Sequence, residues 1–526
     1  MKRNIEQKSE GVVAKASRWQ RFATVVRAVL SSNRFFYGTL VVLVLESAWI
    51  ALSGLFSMAY DEDTHYNVIQ LYAHHLSPFW SSQPDGAATF GVVSRDLSYL
   101  YQYLMSFVYR LMEPFIHTDT PKIIVLRFIS VTFLAIGFIF YRKVLLQTRA
   151  SKAMVHAVLA VLVLVPTVPF LAAQINYDNM LFMMAGIMLW LTTQLITDIK
   201  TSRAGAKDLL LFLSIGMLTC LVKYPFAPVL FMLVVWLGVV YWRARGGWAG
   251  IRRLPSVVWR SFLQLSRLAK VGLLILLVLS GGLFFERYGI NTIRYGTPLP
   301  ECDQVLGVQR CMDYGPWRRN YLTYQDKMQG KLAPVKLDPV TYTFGTWLRL
   351  MGYQLFFALN GKVDNFSVGA PLIGPFVMAI VVGVVGFVLS LWHWRYILSQ
   401  PYMKGLLALS LFYVFSLWIQ NYWDYLHLHL AIAIQARYLV MVLPIFSLAL
   451  AMAYAQTFRN LQSAKVLMAM AMLCILVFQG GGAEVFIMRS TPTWYWSNQT
   501  VVQANDTARA VLRKVIIGEG VNLQFK

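Results

Sequence analysis

The sequence predicts an all-α polytopic membrane protein that crosses its bilayer about eleven times, with the N-terminus cytoplasmic and the C-terminus external. Three observations lead there. Hydrophobic residues make up 57% of the chain and charged ones only 13%, so most of its surface must face lipid rather than water. Apolar runs of spanning length recur from end to end. Lys and Arg concentrate in alternate loops, which gives the crossings a direction.

The first run, 36–59, is too long for the apolar core of a signal peptide and lacks a small-residue cleavage pattern. It therefore reads as an uncleaved anchor that leaves the basic segment 1–35 in the cytosol. Further runs follow at 123–141, 153–171, 180–196, 209–222, 227–241, 271–285, 372–392, 406–419, 438–455 and 466–479. With the N-terminus inside, the loops at 142–143, 200–207, 243–270, 395–404 and 459–465 all fall on the cytoplasmic side. That side holds 26 Lys/Arg against 4 Asp/Glu, so the formal charge of +23 is almost wholly cytosolic. A nucleic-acid partner is set aside, because the basic residues are spread over short loops beside apolar spans and are not gathered on one soluble domain. Membrane lipid is the partner they fit.

The transmembrane domain, 36–480, carries two long external loops, 60–122 and 286–368, and leads into a short external tail, 481–526. Loops of that size usually carry function. Segment 97–115 of the first is amphipathic and dense in tyrosine (Tyr99, Tyr101, Tyr103, Tyr109), a composition suited to lying along the membrane interface. Cys302 and Cys311 share the second, where an oxidising space would permit a disulfide. The tail, with Trp494, Tyr495 and Trp496 before a polar helical piece, is too short for an independent catalytic domain.

The densest polar cluster is Asp61-Glu62-Asp63-Thr64-His65, where the first span leaves the bilayer. Three carboxylates beside low-dielectric lipid repel one another, which suits a general base, a cation site or pairing with Lys/Arg. Asp178 lies in the short external turn after the third span, Lys223 in the turn after the fifth, and Arg437-Tyr438 opens the tenth from outside. Taken alone, Asp178 is a turn cap and the two cations are snorkelling residues. Together they would suit a phosphate-bearing lipid headgroup beside an acidic base.

In that order and topology these motifs resemble the GT-C superfamily of membrane glycosyltransferases. The chain is most similar to the protein mannosyltransferase and lipid A aminoarabinose transferase branch, and to bacterial relatives with an Asp-Glu-x-x-His first motif, here Asp61 to His65. The resemblance covers most spans in outline but not the external loops or the tail, and the large C-terminal domain of some relatives has no counterpart.

What the resemblance implies is transfer of a sugar, with inversion, from a polyprenyl-phosphate donor to a glycan, lipid or protein hydroxyl at the external face of a bacterial cytoplasmic membrane. Asp61 takes the general-base role with Glu62 as its alternate, and Lys223 and Arg437 bind the donor phosphate. Asp63, His65, Asp178 and Tyr438 support them, and Arg294, Arg349 and Lys362 are weaker phosphate candidates. No cofactor is expected, since this branch works without metal, although the carboxylate cluster leaves a divalent ion open. Two rival functions predict other patterns. A transporter or flippase of lipid-linked sugars would place ionisable groups near mid-membrane and show internal repeats, whereas Glu46 is the clearest ionisable residue within a span. An envelope polysaccharide polymerase or ligase would lean on loop arginines.

Overall fold

A computed structural model describes residues 18–332, 335, 338–356 and 373–517. Among them the regular elements are helical, apart from one isolated bridge between Gly54 and Tyr495. Lys362 lies outside the described residues.

Among the described residues, seven helices are long and apolar enough to cross a membrane: Asn33–Ser53, Asp119–Gln147, Tyr177–Lys200, Phe226–Ala244, Arg267–Tyr295, Gly374–Trp392 and Met403–Leu428. The other four expected runs fall on shorter helices, Lys152–Val163, Ala206–Val222, Leu443–Thr457 and Gln462–Phe478. Proline explains two of these shortenings. Pro166 ends the first, and the chain restarts as Thr167–Ala172, with Pro169 in its first turn. Pro444 sits in the first turn of Leu443–Thr457, and the residues before it form a separate short turn, Ala436–Leu439, which carries Arg437.

Tyr177–Lys200 is the central helix: 72% of its apolar window is buried, against 11% for Arg267–Tyr295 and for Gly374–Trp392, which face outward. It presses on Asp119–Gln147 through small residues. A Cβ at Gly137 would collide with the Phe182 ring, and one at Gly186 would crowd Tyr141, so glycine permits the close approach that dispersion needs. Phe182 stacks on Tyr141 with ring centroids 4.5 Å apart.

The first loop folds as two packed helices, Glu62–Ala73 and Leu100–Met112. In the second, Tyr101 and Tyr109 are buried against the rest of the protein, as is Tyr99 just before it, while Leu104, Phe107 and Leu111 form an exposed face. Arg110 closes the end of the Glu62–Ala73 helix, donating to the carbonyls of Tyr72, Ala73 and His75 at 2.5–2.7 Å.

Arg287 fastens this loop to the extended helix Arg267–Tyr295. Fully buried, it donates to the Ser94 and Pro78 carbonyls at 2.7 and 2.8 Å and pairs with Glu286, which also takes Arg95 at 3.0 Å. The second loop contains a disulfide joining Cys302 and Cys311. The tail is sewn to the end of Asn33–Ser53: the Leu55 amide donates to the Trp494 carbonyl at 2.8 Å, the Trp496 amide to the Ser53 carbonyl at 3.1 Å, and Asn505 bonds Trp49 and Ser53. Trp494 and Tyr495 are buried in the process.

Candidate functional site

The Asp61 to His65 run becomes the first turn of a helix, and this pulls its acids apart. Consecutive helical residues point about 100° from one another. Asp61 itself precedes the turn with φ +63°, and Tyr60 has φ +57°. Two successive non-glycine residues in the left-handed region cost about 1–3 kcal/mol each, a strain that recurs at functional sites.

Glu62 turns inward and is fully buried. Arg127 grips it with two bonds, Nε to Oε1 at 2.7 Å and a terminal nitrogen to Oε2 at 2.8 Å. The Met58 and Ile175 amides supply two more donors at 3.0 and 3.1 Å. Arg127 also serves the carbonyls of Ala51 and Gly54, at 3.0 and 2.6 Å, so the pair locks the end of the first spanning helix to the turn before Tyr177. Every lone pair of Glu62 is committed to a donor of the protein itself. Asp63, partly exposed, occupies the same helical turn, and its carbonyl takes the Asn67 amide at 2.8 Å.

Asp61 turns the other way, and its side chain is 44% exposed. Here the expected convergence is found. Arg437 reaches Asp61 Oδ2 at 3.0 Å and the Tyr60 carbonyl at 2.7 Å, while its Nε lies 3.4 Å from Asp178 Oδ2. Lys223 pairs with the other Asp178 oxygen at 2.5 Å. The cluster thus alternates Asp61, Arg437, Asp178, Lys223, two charges of each sign. Asp178 is placed by Asn176, whose side-chain oxygen caps the Tyr177–Lys200 helix and whose amide nitrogen donates to the Tyr60 carbonyl. Lys223 stands over the rings of Tyr438 and Tyr177, 4.1 and 4.5 Å from their centroids. Burial works against the charge of Arg437, but Tyr438, Asp178, Tyr177 and Asp61 outweigh it and raise its pKa, so it stays cationic.

His65 lies beneath this cluster with its ring edge-on to Tyr177. Burial lowers its pKa to about 3, opposed only in part by Asp61, so the imidazole is neutral. With the Gln102 amide oriented so that its nitrogen donates to the Ser98 and Tyr99 carbonyls, the His65 Nδ1–H donates to the Gln102 oxygen at 3.0 Å. Arg294 and Arg349, the weaker phosphate candidates, are exposed.

Two residues that sequence reasoning missed shape the site. Arg127 had a visible signal, an arginine one turn into an apolar run, which demands a buried partner. Asp96 had none. It is accessible to solvent yet surrounded by protein, as a group on the floor of a recess is. Burial raises its pKa against the pull of the Ser98 amide, 2.9 Å away, and of Arg287. Tyr314 faces the same recess, close enough to feel Asp61, Asp96 and Arg319, and Tyr224 feels Tyr438 and Asp96. Gly91, at φ +84°, lets the first loop pass against the Tyr314 ring, where a Cβ would come within 3.3 Å.

Among the described residues no group of three or more His, Cys, Asp or Glu side chains is placed to hold a metal ion. Neither the models of known protein families nor the curated proteins include a match to this chain.

Proposed function

We propose that this chain is a membrane glycosyltransferase of the GT-C type, moving a sugar from a polyprenyl-phosphate donor to the hydroxyl of a glycan, lipid or protein acceptor. One observation carries the reading: Asp61, Asp178, Lys223 and Arg437, drawn from four distant segments, meet as one charge cluster in which only Asp61 stands open to solvent.

The arrangement suits the chemistry. A hydroxyl is a poor nucleophile near neutral pH, and a positioned carboxylate that takes its proton contributes roughly 10²–10⁴-fold. Asp61 is that base. As the acceptor oxygen bonds to the anomeric carbon, the bond from that carbon to the phosphate oxygen breaks and its electron pair leaves with polyprenyl phosphate. The growing negative charge needs cations, not a protonating acid, and Arg437 and Lys223 supply them. Arg437 meanwhile holds Asp61 at 3.0 Å. A donor phosphate that draws the guanidinium toward itself loosens that pair and strengthens Asp61 as a base at the moment it is needed.

The remaining residues position these groups. Asp178 spaces the two cations, Tyr438 and Tyr177 floor Lys223, and neutral His65 props the Tyr177 ring. Glu62 belongs to the scaffold through Arg127. On this reading the chain crosses the membrane eleven times, with the site on the external face of a bacterial cytoplasmic membrane and the basic loops inside.

Asp61→Asn tests the base. It should abolish sugar transfer with folding and membrane insertion intact, and Asp61→Glu should retain a fraction of the rate. Full activity in Asp61→Asn would remove this mechanism.

A further inference from the structure

Apart from the charge cluster, six helices line a second feature that the proposed glycosyl transfer does not require. Arg18–Ser31, Lys152–Val163, Leu348–Phe356, Ile373–Trp392, Leu443–Thr457 and Gln462–Phe478 line a cavity of about 440 Å³, inside the range of roughly 300–1,000 Å³ typical of ligand pockets. Its wall is almost wholly aliphatic, and small residues such as Ala157, Gly383 and Ala451 make the space.

The cavity has a direction. Ser151, Ala455 and Lys465 line one end, and Val165, Leu443 and Leu476 the other. On each of those three helices the lining spans eleven to fourteen residues, or about 16–21 Å at 1.5 Å per residue. That is close to half of a hydrocarbon core about 30 Å thick, the depth of one leaflet.

Charge marks the Ser151 end. Arg27 and Lys465 line the cavity there and are near enough to repel one another. Arg27 belongs to Arg18–Ser31, whose Trp19, Phe22, Val25 and Val29 are exposed beside Arg18 and Arg21, the pattern of a helix lying in the membrane interface. Two like charges at the mouth of an apolar chamber one leaflet deep are complementary to an anionic amphiphile.

We infer that this cavity binds an anionic membrane lipid of the leaflet at which Arg18–Ser31 lies, with the headgroup phosphate between Arg27 and Lys465 and an acyl chain among Ala157, Gly383 and Ala451. The phosphate removes the repulsion between the cations, and the chain fills a volume that would otherwise forfeit dispersion contacts.

The test is lipid retention. The full-length protein is reconstituted in vesicles of equimolar phosphatidylglycerol and phosphatidylcholine with matched chains, extracted into mild detergent and weighed intact by native mass spectrometry. The expected result is one retained phosphatidylglycerol. Retention should fall about tenfold in Arg27→Gln with Lys465→Gln, as expected from losing charge-assisted contacts, and should be lost in Gly383→Trp, which fills the chamber. Thermal unfolding of each variant separates lipid loss from misfolding, and Lys465→Arg keeps the charge as a second control that should retain the lipid. Equal retention of the two lipids, or undiminished phosphatidylglycerol in a folded Gly383→Trp, overturns the inference. So does the finding that added polyprenyl phosphate occupies the chamber in place of phosphatidylglycerol, since the cavity would then be the donor's chain groove.

Discussion

Replacing Glu62 with Gln should unsettle the fold rather than silence a base. Gln keeps the shape of the side chain but removes its charge. Arg127, fully buried, would then face only the carbonyls of Ala51, Gly54 and Leu55 without a counter-ion. Breaking a buried pair in this way costs about 3–5 kcal/mol. One half of the new amide must also point its N–H₂ at a backbone donor, since the Met58 amide meets one carboxylate oxygen and the Ile175 amide the other. A buried donor left unmatched adds about 1–3 kcal/mol. The sum is a large share of the roughly 5–15 kcal/mol that stabilises a typical domain. Thermal unfolding of the detergent-purified protein measures it. A cycle with Arg127→Gln should show strong coupling, the second substitution costing far less than the first. If Glu62→Gln melts like the wild type and loses turnover, the carboxylate is part of the chemistry and its assignment to the scaffold is wrong.

Three more outcomes follow from the geometry. Asp178→Asn takes from Lys223 the carboxylate it pairs with and leaves Arg437 with Asp61, so it should cost about 3–5 kcal/mol, whereas Lys223→Met leaves Asp178 still facing Arg437 and should cost less; thermal unfolding of the two variants checks the order. Gly482 has φ +57°, and a Cβ there would strike the Glu46 carboxylate. Gly482→Ala should therefore lose about 1–3 kcal/mol from overpacking, and Glu46→Ala in the same chain should restore that part alone. His65 bears on pH. Its folded pKa of about 3 lies below the usual 6.5, so the unfolded chain takes up a proton first as pH falls. Its contribution is fully present above about pH 6.5 and fades toward pH 3, and a melting-temperature profile over that range should be flatter in His65→Gln.

Much of the fold was legible because lipid imposes a simple rule, apolar length, and all eleven expected runs fall on helices. What periodicity missed was where helices stop. Pro166 shortens one run, and the turn that carries Arg437 detaches from another ahead of Pro444. The four cluster residues could be anticipated since each sits at a helix end or in a short turn, where little chain separates it from a predictable boundary. The division of labour between Asp61 and Glu62 could not be. Adjacent in sequence, they diverge through the left-handed backbone at Asp61 and the pull of Arg127, a residue that hydropathy counts only as a blemish in an apolar run. Asp96 was invisible for a different reason. Its surroundings include Arg287, 191 residues away in sequence, and nothing local to the first loop encodes that.

The central claim is that a sugar leaves a polyprenyl phosphate at Asp61. The most direct measurement supplies the protein, reconstituted in proteoliposomes, with defined polyprenyl-phosphate sugars and a panel of glycan, lipid and peptide acceptors, and follows polyprenyl phosphate by mass spectrometry. The account predicts acceptor-dependent release of polyprenyl phosphate by the wild type and none by Asp61→Asn, with donor binding retained in both. Movement of intact lipid-linked sugar across the bilayer with no release, unaffected by Asp61→Asn, would contradict it and make the protein a transporter.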